Sequence, residues 1–255
     1  RLQLSLDGMS AILPTRLVTT VLIRCQSARL STSTQPLRIA LLLGSTRTEG
    51  PPKPANVGAR VGAFAAAALT GLGHTVDTVD PIVEELPLLV KPQFAYAAGK
   101  APPSLDALYD RLLAADAYVM VTPEYNHAPS PALVNILNHF GSSVFSFKPS
   151  AIVSYSQGQW GGCRAAVGLR PILSELGCLP VSAMVHVPRA HQVLDETGTP
   201  TGGAKEVERW HGYAHRTWSQ LQWWGTAAKL HKQSNDPFAA SPAFLSDPAQ
   251  RNAAA

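Results

Sequence analysis

The feature that most constrains this chain is an alternation of short apolar runs with helix-forming segments, repeated five times along 255 residues. Residues 37–43, 75–79, 117–121, 151–155 and 181–187 read as strands, and 57–69, 104–114, 131–140, 163–176 and 204–229 as helices. Run 37–43 is apolar throughout, as a central parallel strand covered on both faces requires. Strands that alternate with helices in this way build a doubly wound, five-stranded parallel α/β sheet with helices on both faces. In a sheet of order 2-1-3-4-5, the turns after strands 1 and 3 flank the topological switch point, where such sheets hold their ligands.

Those two turns are chemically pointed. Gly44-Ser45-Thr46-Arg47 follows strand 1 and offers backbone N–H groups, two hydroxyls and a guanidinium, which together suit a phosphate ester. A Pro- and Gly-rich stretch, 48–54, then delays the next helix, for which Asn56 is the expected N-cap. Pro123-Glu124-Tyr125-Asn126 follows strand 3 and precedes a helix that opens at Pro131, where a missing N–H costs nothing. A third loop on the same edge, Ser156-Gln157-Gly158 through Gly161-Gly162, can bring backbone close to a planar ligand. The prolines at 81, 87, 92, 102 and 103 make 81–103 a long loop, with room for one helical turn.

Charge excludes one function class. The net charge is +4, from 21 basic and 17 acidic residues, yet residues 1–36 carry Arg1, Arg16, Arg24 and Arg29 against Asp7 alone. The rest is near neutral and lacks the basic face that nucleic acid needs. The basic arm has the composition of a mitochondrial or plastid transit peptide, an alternative to a cytoplasmic location. No apolar run reaches membrane-spanning length. Cys25, Cys163 and Cys178 are widely spaced, which suits a reducing compartment and points to neither a disulfide framework nor a metal site. His211 and His215 lack the Glu of a zincin motif and read as packed or solvated. The adjacent Glu84 and Glu85 make a poor acid/base pair. The expected organisation is an arm (1–36), one domain (37–232) and a disordered tail (233–255).

With these turns in place, the chain resembles the NADPH-dependent FMN reductase family, the flavodoxin-like group that includes quinone and azo-dye reductases. The likeness rests on Gly44-Ser45-Thr46-Arg47, on Pro123-Glu124-Tyr125-Asn126 with Pro131-Ala132-Leu133-Val134-Asn135, and on the Ser/Gly-rich third loop. It implies that Ser45, Thr46 and Arg47 hold the phosphate of FMN, and that residues 123–126 face its ring largely through backbone. Ser156, Gln157, Gly158, Gly161 and Gly162 would flank the other edge of the ring. It further implies ping-pong hydride transfer from NADPH or NADH to a flat, electron-poor acceptor such as a quinone, with no catalytic side chain. The expected assembly is a homodimer or homotetramer that uses the helix at 131–140. The chain departs from the family in the insert at 48–54, which leaves the part played by Asn56 open, and in Val134, where a lysine is common. A non-catalytic electron carrier or flavin-binding regulatory module is the alternative. Four cations, Arg164, Lys148, Arg189 and Lys205, are equally placed by the sequence to receive a 2′-phosphate.

Overall fold

The computed structural model describes residues 35–97 and 99–240, so the basic arm up to residue 34 and the last 15 residues of the tail lie outside the described residues. Strand β1 (Arg38–Leu43) leads to helix α1 (Val57–Gly71), β2 (Thr75–Val79), a 3-10 turn (Gln93–Ala95) and α2 (Pro103–Leu113). Then come β3 (Ala117–Tyr125), β4 (Ala128–Pro129), α3 (Pro131–Phe140), α4 (Ser142–Phe145), β5 (Pro149–Tyr155) and α5 (Cys163–Glu175). The chain closes with β6 (Leu179–Pro180), β7 (Val185–Val187), α6 (Ala190–Val193), α7 (Ala204–Lys232) and α8 (Pro237–Ala240).

The strand order is β2-β1-β3-β5-β6, parallel throughout, with β7 also parallel to β5 and β4 antiparallel to the end of β3. This is the doubly wound order expected, with two departures. Of the fifth strand, expected over 181–187, only 185–187 form β7, while β6 lies just before the expected range; the two pair with opposite ends of β5. Strand β3 runs on to Tyr125 and folds back through β4, so Pro123, Glu124 and Tyr125 stand in a strand and not in an open loop. The hairpin needs only Asn126 (φ 50°) and His127 (φ 65°), both left-handed, as a two-residue turn with the strand's own twist requires. Residues 237–240, placed by the sequence in the tail, form a helical turn whose Phe238 ring meets Phe147 edge-on. Helix α2 begins at Pro103 with Pro102 at its cap, one residue before the expected start at 104.

Alternation along the strands divides the core into two layers. Ile39, Leu41, Leu43, Val119, Val121 and Val153 face α1 and α7, with Phe64, Trp210 and Trp218 among their neighbours. Ala40, Leu42, Met120 and Ile152 face α2, α3 and α5. Each fully buried Val, Leu or Ile contributes about 1.5–3 kcal/mol, so the two layers dominate stability. No described helix is long and apolar enough to cross a membrane.

At the amino-terminal edge of β5, Lys148 is buried and its Nζ donates to the carbonyl oxygens of Leu112 (3.3 Å) and Leu113 (2.7 Å) at the end of α2. Burial, and after it the charge of Lys232, lowers its pKa to about 7. An unfolded lysine keeps its proton to about pH 10, so from pH 7 upward unfolding takes up a proton and the folded state gains stability as pH rises. Denaturant melts should therefore show stability increasing from pH 7 to 9. Lys148→Met should flatten that rise, and an unchanged slope would assign it to another group.

Candidate cofactor site

The carboxyl ends of β1, β3 and β5 lie side by side, with Leu43 opposite Val121 and Pro123 opposite Tyr155. Gly44 seals the first junction. Its N–H donates to Val121 O at 2.7 Å, and a Cβ there would stand 2.7 Å from both that oxygen and Ser130 Oγ. Only glycine lets the turn after β1 lie this close to the end of β3.

Beyond the turn, the insert loops out and comes back. The Arg47 guanidinium donates to the carbonyl oxygens of Gly50, Pro52 and Pro54 over 2.9 to 3.4 Å, and Asn56 N–H donates to Arg47 O at 3.0 Å. Helix α1 is late in the sequence but adjacent in space. Its first turn contains no acidic residue, so the positive end of its dipole is left uncompensated at the rim. Asn56 takes the N-cap position in a left-handed conformation (φ 51°), yet its side chain does not cap the helix. Among the described residues, that side chain and the N–H groups of Ser45 and Thr46 have no hydrogen-bond acceptor or donor within the chain.

The three loops enclose a cavity of about 270 Å³, lined by Ser45, Arg47, Pro52, Asn56, Val57, Pro123, Glu124, Tyr125, Tyr155, Ser156 and Gln157. Gln157 Nε2 donates to Pro54 O at 3.2 Å, which joins the third loop to the insert. Eight of the residues singled out in the sequence therefore share one cavity wall. Gly44, Thr46, Asn126, Gly158, Gly161 and Gly162 are not among the lining residues. The two last glycines, at φ 61° and 76°, serve packing: a Cβ on Gly161 would meet the backbone of 186–188, and one on Gly162 that of Tyr155. Glu124 lines the wall, but its Oε2 accepts from the N–H groups of Arg164 (3.0 Å) and Ala165 (3.2 Å), and Oε1 pairs with Arg164 Nη1 at 3.3 Å. Its carboxylate caps α5.

Sequence reasoning missed Tyr155. It ends β5 on the same face as Val153, and its phenol bonds to the Ser45 hydroxyl. Burial holds its pKa well above the usual phenol value, so Tyr155 Oη keeps its proton at neutral pH. The same phenol would lie 2.6 Å from a Cβ on Gly58, in the first turn of α1. The available signal was period two: position 155 shares a strand face with 151 and 153 and is the last before the loop.

A phosphate ester fits this end of the cavity. It calls for backbone N–H groups without partners, a helix N-terminus free of acid and a nearby cation, all of which are present. The Arg47 bonds to neutral carbonyls leave its charge intact.

A family profile described as NADPH-dependent FMN reductase matches residues 37–192. The chain belongs to that family. Among relatives, it is 34% identical over 107 residues to an NAD(P)H-dependent FMN reductase of Pseudomonas aeruginosa, a match that covers 40% of this chain and 57% of that one. It is 33% identical over 139 residues to a protein of Oryza sativa subsp. japonica named Probable NADPH:quinone oxidoreductase 1, with 53% and 66% covered. The chain thus spans about three fifths of the length of these relatives. The solved structure of FerB, a flavoenzyme NAD(P)H:(acceptor) oxidoreductase from Paracoccus denitrificans, superposes with a TM-score of 0.55 at 20% identity. That match covers 73% of this chain and 97% of FerB, and shows the shared fold.

Since Glu124 supplies an N-terminal cap to α5, Glu124→Ala should lower unfolding free energy by about 1–2 kcal/mol. Urea melts of the two proteins without cofactor test this, and a change below about 0.3 kcal/mol would reduce the cap to an ornament of the surface.

Proposed function

We propose that this chain is an FMN-dependent NAD(P)H oxidoreductase whose acceptor is flat and electron-poor, of the quinone class. The observation that carries the reading is the shared cavity at the switch point. Ser45, whose N–H has no partner among the described residues, lines it beside the first turn of α1, and residues 123–125 of the β3–β4 hairpin form another part of its wall.

In this reading Ser45, Asn56 and the first N–H groups of α1 hold the phosphate, and Arg47 adds charge while it folds the insert over that end. Pro123, Glu124 and Tyr125 present strand backbone and one half-exposed aromatic ring to the flat part of the cofactor. Bound FMN would supply the hydride chemistry, accepting from NAD(P)H and donating to the acceptor in turn. Tyr155 keeps its phenol proton and would hold Ser45 in place at the phosphate end. Glu124 is spent on α5, and so is left out of proton transfer. The side chains position and shield, and none is a nucleophile.

Two measurements test this. Titration of the purified protein with FMN should give a stoichiometric complex whose visible bands bleach on NADPH addition and return with a quinone. A protein that binds FMN but does not oxidise NAD(P)H would be an electron carrier instead. Arg47→Ala should weaken FMN at least about tenfold more than riboflavin, the scale of one charge-assisted contact of about 1.5–3 kcal/mol. Equal losses for the two flavins would remove Arg47 from the phosphate end.

A further inference from the structure

A second cavity, about 500 Å³, opens beside the first and is lined by Gln159, His186, Pro188, Arg189, Val193, Arg209, Trp210 and Tyr213. The third loop is the wall between the two. Gln157 lines the cofactor cavity and Gln159 this one, and two residues of chain separate their Cα atoms by at most about 7 Å. The loop is pinned to the far side by Arg189 N–H to Gly158 O (2.9 Å) and Ala190 N–H to Ser156 O (3.0 Å).

The lining groups have a definite chemistry. The Arg189 backbone is left-handed (φ 47°), a conformation rare for arginine, and among the described residues its guanidinium has no partner. Arg209 lies over the Trp210 ring, 5.4 Å from its centroid, and spends Nε and Nη2 on Glu206, which leaves Nη1. Tyr213 is 43% exposed and meets Trp210 edge-on at 5.8 Å, so a flat face is available beside two guanidiniums. Burial lowers the His186 pKa, so the imidazole is neutral near pH 7 and the cavity's positive charge comes from the arginines. An aromatic face beside one free guanidinium and the Nη1 of a second is complementary to a purine that carries a phosphate.

The structure assigns this cavity to the 2′-phosphoadenosine end of NADPH, with Arg189 and Arg209 receiving the 2′-phosphate and Tyr213 the adenine. The assignment rests on the reading that the neighbouring cavity holds FMN and receives the nicotinamide. It also separates the four cations that the sequence left level. Arg164 is paired with Glu124, Lys148 is buried against the end of α2, Lys205 is absent from the lining, and Arg189 stands unpaired on the correct rim.

The test uses the full chain loaded with FMN and two fragments as probes in calorimetry, 2′,5′-ADP and 5′-AMP. The expected result is binding of 2′,5′-ADP at least tenfold tighter than of 5′-AMP. Arg189→Asn, which suits the left-handed backbone, and Arg209→Gln should each cut that preference severalfold, while Glu206→Gln, which frees Arg209, should raise it. In steady state the kcat/KM ratio of NADPH over NADH should fall by a similar factor in Arg189→Asn, through KM rather than kcat. Equal binding of the two fragments, or a preference that survives both arginine substitutions, overturns the assignment. Calorimetry of the fragments does not depend on turnover: if they bind as stated but no NAD(P)H is oxidised, it is the proposed reaction that fails and not the nucleotide site.

Discussion

Strand β3 carries the architecture. It is buried on both faces from Ala117 to Pro123, and it pairs with β1 on one side and β5 on the other. Parallel pairing in fixed register means that all three strands end on one rim, and a slip of one residue would turn every apolar side chain to the wrong layer. The cavity is a consequence of this register. Three chain segments far apart in sequence meet there because their strands run the same way and all end on that rim.

Much of this was legible in the residues. Apolar runs bounded by glycine and separated by helical periodicity gave the sheet, and the location of the turns after β1 and β3 followed from strand order alone. What periodicity does not encode is what a side chain does once neighbours arrive. Glu124 reads as a loop carboxylate, and only the approach of α5 turns it into a cap. Gly161 and Gly162 read as ligand-facing, but their Cα positions are closed in by the backbone of 186–188 and of Tyr155 respectively. Tyr155 reads as the last residue of a buried strand, and its hydroxyl becomes visible as a polar group in the cavity only when Ser45 and Gly58 are placed against it.

Asn56 illustrates the same limit. Its position at the start of α1 is read correctly from local sequence, whereas its left-handed backbone and the absence of a side-chain bond to the helix are not. The shortened fifth strand has a similar origin. Positions 181–184 carry Val and Ala that suit a strand, but Ser182 and the Ala183 N–H bond to Gln220 on α7 in place of a ladder partner. Tertiary hydrogen bonds outweigh strand propensity there.

The closed base of the insert has one more consequence. Because Asn56 N–H meets Arg47 O, the segment between them leaves and rejoins the scaffold at nearly one point, like a handle on a fixed plate. The entropic cost of lengthening such a handle grows only slowly with its length. The stretch can therefore change in size and composition, and with it the roof above the cavity, while the helix beneath stays where it is.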